Sequence, residues 1–275
     1  MSIDGKLILI TGASSGIGEA TAKKLAILGA KVILQARSID KLENISSDIK
    51  ASKGIAYTYP CDLTKAEEVK TVSNQIKQEI GVPDILILSA GAGNWTSIFQ
   101  TEMEEFDKMM STPYFSTVYI VKAYLNDLVR RNSGHIITIN SAASYFSFPG
   151  ALGYLSTRWA LRGFSEGLYE DFKSTNILVS SIVSGKVDSP YFSVNPISEN
   201  RIPKIATGIM KTLSTSEVAD HIIKVVEHPK KTTIIPRMMA ISIFFNQWFP
   251  RLFKILMRKT GYKGIPKEIL QIRKA

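Results

Sequence analysis

KLILITGASSGIG, residues 6–18, runs from an apolar stretch through a glycine-rich turn into a helical pattern, GEATAKKLAILG at 18–29. The run LILI at 7–10 holds no polar residue and reads as a strand buried on both faces. Strands of that kind belong to parallel sheets covered by helices on both sides. The glycines that follow have separate uses. Gly12 permits a tight turn, Gly16 lets the backbone approach a pyrophosphate, and Gly18 lets the helix lie close against the strand. The helix then points its free N–H groups and the positive end of its dipole at whatever the turn holds. Ser14 adds a hydroxyl. The spacing is G-x-x-x-G-x-G, and the strand–turn–helix setting makes it a phosphate site rather than a bare turn.

Working outward, strands are expected at 6–11, 31–36, 55–59, 84–89, 135–140, 177–184 and 232–235. Helices are expected at 16–29, 38–52, 64–80, 103–131, 151–173 and 215–227. Regular alternation of the two predicts an α/β fold: a single doubly wound Rossmann-type domain with a mainly parallel sheet and helices on both faces. The nucleotide-binding part spans 1–236, and 237–275 is a basic, apolar C-terminal extension of the same domain. The end of the second strand selects the cofactor. A carboxylate there would bind a ribose 2′-hydroxyl, but the sequence is LQARS at 34–38. Arg37 suits a 2′-phosphate through a forked, charge-assisted contact, which favours NADP(H) over NAD(H).

The net charge of +10 is local. Residues 229–275 hold eleven Lys/Arg and one acid, Glu268, leaving 23 basic and 23 acidic residues in the first 228. A neutral body argues against nucleic acid as a partner. The single cysteine, Cys61, excludes a disulfide framework and a multi-cysteine metal site. His135, His221 and His228 stand at no ligand spacing, so no metal is expected. LILI leads directly into the glycine turn, unlike a secretory signal, and a reducing cytoplasmic setting is expected.

Several motifs in order resemble the short-chain dehydrogenase/reductase family over residues 5–236. They are TGASSGIG at 11–18, CDLT at 61–64, LSAG at 88–91, INSAAS at 139–144 and SGKVDSP at 184–190. Tyr154 follows Ser141 at the family's thirteen-residue interval. The resemblance implies an oxidoreductase that interconverts a carbonyl and a hydroxyl with NADP(H). Tyr154 is then the acid/base, Ser141 orients the substrate, and Arg158 stands where the family has a lysine that grips the nicotinamide ribose. It also implies cofactor contacts from Gly12, Ser14, Ser15, Gly16, Ile17 and Gly18 in the turn, and from Arg37. Asp62, Leu63, Ser89, Ala90 and Gly91 follow on the next strand ends, with Tyr154, Arg158, Val187 and Ser189 at the nicotinamide.

Tyr154 and Arg158 lie four apart in ALGYLSTRWALRGF, 151–164, so they share a helix face. A fixed cation beside a phenol favours its ionised form, yet arginine, unlike lysine, cannot pass on a proton. The family's asparagine falls at Pro113, which has no side-chain amide but keeps a backbone carbonyl. In the family that carbonyl holds a relay water. Two readings follow: an oxidoreductase with altered relay chemistry, or an NADP(H)-binding sensing or scaffold module that has lost turnover. The resemblance further implies a homodimer or homotetramer through the helices at 103–131 and 151–173.

Aromatic residues collect in segments expected at the strand ends: Trp95, Tyr145, Phe146, Phe148, Tyr191 and Phe192. They suit a bulky apolar substrate of lipid, steroid or long-chain-ketone type. Residues 189–205 are rich in breakers and long enough to read as a mobile lid over the pocket. Beyond Pro236, MMAISIFFNQWFPRLFKILMRK at 238–259 is too short an apolar run to span a bilayer. It either lies in an anionic membrane interface as a peripheral contact, or caps the pocket or a subunit interface.

Overall fold

A computed structural model of the chain describes residues 2–203 and 210–262. The end of the 189–205 loop and the tail beyond residue 262 lie outside these. Seven strands form one parallel sheet: β1 Leu7–Thr11, β2 Lys31–Ala36, β3 Ile55–Pro60, β4 Ile85–Leu88, β5 Gly134–Ser141, β6 Ile177–Ser184 and β9 Thr232–Ile235. Two short strands, β7 Val187–Asp188 and β8 Leu213–Ser214, pair separately. The sheet order is β3-β2-β1-β4-β5-β6-β9. This is the expected Rossmann-like α/β fold.

The central strands β1 and β4 and most of β2 are apolar on both sides because both sides are covered. Ile8, Ile10, Val32, Leu34, Ile85 and Ile87 pack beneath α1 Gly16–Ile27, α2 Ile39–Ala51 and α9 Thr215–Glu227. Leu9, Ile33, Leu86, Ile136 and Val179 face the other way, onto α3 Ala66–Glu79, α5 Ser116–Arg131 and α6 Leu152–Phe172. Each such side chain taken fully out of water contributes about 1.5–3 kcal/mol. A polar residue on either face would forfeit that, which explains the runs LILI and ILIL. The chain leaves β1 and β4, neighbours in the sheet, towards opposite edges. A crevice opens at their carboxyl ends.

The structure departs from the expected elements in two places. The single helix expected at 103–131 is two, α4 Met103–Met110 and α5, joined by one π-helical turn at Ser111–Phe115. Pro113 has no N–H to offer the preceding turn, and the wider π turn accommodates it without ending the helix. The breaker-rich segment after residue 189 is not a plain loop. Pro190 and Pro196 each open a short helix, α7 Pro190–Val194 and α8 Pro196–Glu199, at the position where a missing N–H costs nothing.

After β9 the chain forms a helical hairpin, α10 Arg237–Trp248 and α11 Pro250–Thr260. Met239 and Ile243 are buried with Val183 and Phe146. Phe253 stacks on Phe146 with ring centroids 4.8 Å apart, which ties α11 to the body. No helix among the described residues is long and apolar enough to cross a membrane.

Candidate active site

The glycine turn sits in the crevice with the geometry its sequence requires. Gly12 has φ +65°, and a β-carbon there would lie 2.9 Å from the Ala90 α-carbon. Gly16 has φ +60°, and a β-carbon on Gly18 would lie 2.3 Å from the Gly12 carbonyl oxygen. The ends of β1 and β4 are stitched together here. Thr11 Oγ1 accepts from the backbone N–H groups of Ser89 and Ala90 at 3.1 and 3.2 Å, and Ser89 Oγ donates to the Thr11 carbonyl at 2.5 Å.

One cavity of about 880 Å³ begins at this turn. All residues assigned to the cofactor from sequence line it: the turn from Gly12 to Gly18 apart from Ala13, then Arg37, Asp62, Leu63, Ser89, Ala90, Gly91, Tyr154, Arg158, Val187 and Ser189. Ser141 lines it too. Lys41, on the first turn of α2 and four residues beyond Arg37, is a second cation in the lining, and Ser38 adds a hydroxyl. Only its four-residue distance from Arg37 marked Lys41 in the sequence. Burial raises the Asp62 carboxyl, but two hydrogen bonds from Thr64 and the charges of Lys65 and Arg37 outweigh it. The group is held below its ordinary range. Burial pushes the nearby Cys61 thiol up to about 12, so it stays protonated.

At the centre of the cavity Arg158 is 8% exposed, with its guanidinium carbon 4.9 Å from the centroid of the Tyr154 ring. Nη1 donates to the Ile139 carbonyl at 3.4 Å, and Nε has no partner. Among the described residues no carboxylate pairs with it. Gly91 makes room for this side chain: a β-carbon there would lie 2.9 Å from Nη2. A buried cation with a spare donor, facing a glycine cradle, fits the phosphates and hydroxyls of a dinucleotide.

Ser141 ends β5, and its Oγ accepts from the Ala143 N–H at 3.2 Å. Asn140, which no motif marks, binds both sides of the site. Its Nδ2 donates to the Arg158 carbonyl at 3.1 Å, and its Oδ1 accepts from the Ser141 N–H at 2.8 Å. It fixes the end of β5 against α6, and a polar residue closing an apolar strand was its only signal. Pro113 is buried, and its carbonyl accepts from Thr117 Oγ1 at 2.9 Å. It is Thr112 that lines the cavity.

The far half of the cavity is aromatic. Trp95 lies between Phe148 and Tyr154, at centroid distances of 5.1 and 5.3 Å. Tyr191 closes the group, 6.2 Å from Tyr154, with its hydroxyl donating to the Gly93 carbonyl at 2.5 Å. Burial and the neighbouring Tyr154 push the Tyr191 phenol up, so it stays protonated. Phe146 and Phe192 line the wall as expected, but Tyr145 does not. Its ring lies 3.8 Å beneath the Arg162 guanidinium, and its carbonyl accepts from Asn246 Nδ2 of α10. The outer wall comes from the hairpin, through Met238, Met239, Phe245, Phe253 and Met257.

Comparison with known proteins agrees with this arrangement. The family model for short chain dehydrogenase matches residues 6–199. An uncharacterised oxidoreductase of Listeria innocua is 36% identical over 191 residues, covering 69% of this chain and 77% of its own. A fatty acyl-CoA reductase of Acinetobacter baylyi is 32% identical over 269 residues, covering 96% of this chain and 87% of its own. The X-ray structure of an alcohol dehydrogenase from the archaeon Thermococcus sibiricus, complexed with 5-hydroxy-NADP, is 27% identical with a TM-score of 0.74. It covers 84% of this chain and 96% of that one. With its parallel sheet, its glycine turn and these relatives, the chain belongs to the short-chain dehydrogenase family of oxidoreductases.

Proposed function

We propose that the protein is an NADP(H)-dependent oxidoreductase that interconverts a carbonyl and a hydroxyl on a bulky apolar substrate. The observation that carries this reading is the position of Tyr154. It stands at the junction of one cavity, between the Arg158 cation on the glycine-turn side and the Trp95–Phe148–Tyr191 group on the other. The names of the two characterised relatives, a fatty acyl-CoA reductase and an alcohol dehydrogenase complexed with an NADP derivative, support the substrate type and the cofactor. Arg37 and Lys41 are the residues that would hold a 2′-phosphate, and the α1 N-terminus the pyrophosphate.

When bound, the cofactor supplies or accepts the hydride. In reduction Tyr154 gives its phenolic proton to the carbonyl oxygen, and in oxidation it takes the proton from the hydroxyl. Ser141 donates a hydrogen bond to the same oxygen and orients it. Arg158 stands at the position of the family's lysine and Pro113 at that of its asparagine. Arg158 lies over the Tyr154 ring and offers donors to ribose hydroxyls, but as a guanidinium it cannot pass on a proton. The Pro113 carbonyl is already engaged by Thr117, with one lone pair remaining. Tyr154 therefore recovers its proton from water in the open cavity. Exposed Phe115 and Trp159, on the helices expected to join subunits, support a homo-oligomer.

The test is binding of NADPH and NADH to the full-length protein, followed by reduction of a panel of long-chain ketones and aldehydes. NADPH is expected to bind at least about tenfold tighter than NADH, and Arg37→Ala to erase that preference. Tyr154→Phe is expected to cut turnover by about 100-fold or more with NADPH binding intact. The fixed charge of Arg158 and the engaged Pro113 carbonyl favour a second reading, an NADP(H)-binding sensor without turnover. NADPH binding with no turnover, together with turnover gained in Arg158→Lys, would establish it in place of the first.

A further inference from the structure

The hairpin α10–α11 has two faces, and only one belongs to the cavity. Met239, Ile243 and Met257 are buried against the body. On the outside, large apolar side chains stand in water: Phe244 is 61% exposed, Trp248 68%, Phe249 56%, and Leu252 and Ile255 49% each. Phe244 and Trp248 touch one turn apart, with centroids separated by 5.9 Å, and Leu252 and Ile255 continue the surface one turn apart on α11. Beside them on α11, Arg251, Lys254 and Arg258 follow at spacings of three and four and are all exposed. From Arg237 to Thr260 there are five Lys/Arg and no Asp or Glu. Met238 and Ile241 belong to both faces: they line the cavity and are 42% and 57% exposed. These two side chains therefore stand at an edge of the cavity, on the same helix as Phe244 and Trp248.

We infer that the α10–α11 hairpin docks on an anionic lipid bilayer, with Phe244, Trp248, Phe249, Leu252 and Ile255 inserted and Arg251, Lys254 and Arg258 on the headgroups. The apolar substrate then enters the cavity from the bilayer between Met238 and Ile241. The helices lie on the membrane and do not cross it, as their lengths of 12 and 11 residues require. Charge selects lipid over a second copy of the chain. A two-fold interface would set the same patch against itself, bringing arginines and lysines together with no carboxylate on either hairpin to offset them. Anionic headgroups supply that countercharge, at about fivefold in affinity for each basic residue near the surface. Docking goes beyond the reading of the site above and does not depend on turnover.

The test is co-sedimentation of the full-length protein with vesicles of equal parts phosphatidylcholine and phosphatidylglycerol, against vesicles of phosphatidylcholine alone. The mixed vesicles are expected to bind at least about tenfold tighter, with the difference shrinking in high salt. The double substitution Phe244→Glu with Trp248→Glu changes two exposed side chains that pack on each other and do not line the cavity, and is expected to abolish pelleting while leaving Tm and NADPH binding unchanged. Trp248→Phe retains pelleting, and Arg251→Glu with Lys254→Glu weakens it on mixed vesicles only. No pelleting by the full-length protein, or equal pelleting by protein and double variant, would overturn the inference. A drop in oligomer mass in the double variant without any change in pelleting would assign the surface to a second copy instead.

Discussion

Arg158 and His135 show two ways this chain buries a base. Arg158 keeps its charge and is accommodated by a missing β-carbon at Gly91 and by the face of the Tyr154 ring. His135, on β5, gives its charge up. Its Nε2 shares a hydrogen bond with Ser180 Oγ at 2.8 Å while Nδ1 has no partner, and burial pushes the imidazole down to about 4. The unfolded chain, with an ordinary imidazole near 6.5, binds the proton more readily. The stability tied to His135 is thus whole above pH 6.5 and falls as pH drops towards 4, by about 3 kcal/mol. His135→Asn is expected to flatten that part of the stability profile between about pH 7 and pH 4.5. Chemical denaturation across that range checks it, and an unchanged slope would refute it. The places of Gly12, Ser141 and Tyr154 in the cavity lining were legible in the sequence because their motifs fall at strand ends and on one helix face. Asn140 and Lys41 were not, since Asn140 works through partners that only the fold brings near and Lys41 belongs to no motif. Tyr145 was misplaced because an aromatic at a strand end can turn towards a cavity or away, and Arg162 holds it away.

Among the elements, apolar periodicity located every strand of the main sheet and the helices that cover its two faces to within a few residues, but not the helices of the C-terminal hairpin. It missed structure that depends on a single residue. The π turn at Ser111–Phe115 follows from Pro113, and the short helices α7 and α8 from prolines that begin rather than break them. Helix α9 starts on a reciprocal cap: Ser214 Oγ accepts from the Glu217 N–H at 3.1 Å, and the Glu217 carboxylate accepts from the Ser214 N–H at 2.8 Å. Ser214→Ala removes one of these bonds and is expected to cost about 1 kcal/mol. In a chain of this size that lowers Tm by about 2–4 °C, measurable by calorimetry. A Tm unchanged within a degree would show that the start of α9 is held by packing alone.

For the molecule as a whole, the tail was the least legible part. Its composition suited a membrane face and a pocket cap equally, and the hairpin explains why: one side lines the cavity while the other stays exposed. Phe253 is the rivet between hairpin and body through its stack on Phe146. Phe253→Ala is expected to cost about 2 kcal/mol and to raise KM for an apolar substrate several-fold while leaving NADPH affinity unchanged. Parallel loss of both affinities would mean that the hairpin holds the whole crevice, not its apolar half. The sheet order bears on how such a molecule is made. β1 lies in the middle of the sheet, with Ile8 beside Ile85 of β4, a strand formed far later in the chain. In chain order β1 precedes both of its sheet neighbours, β2 and β4, and Ser141, Tyr154 and Val187 come after all three. The glycine turn is thus among the first parts of the site to be translated, while the crevice it faces is finished among the last. A nucleotide seated there would touch both the early half of the chain and the late half, so its binding would add to the stability of their association.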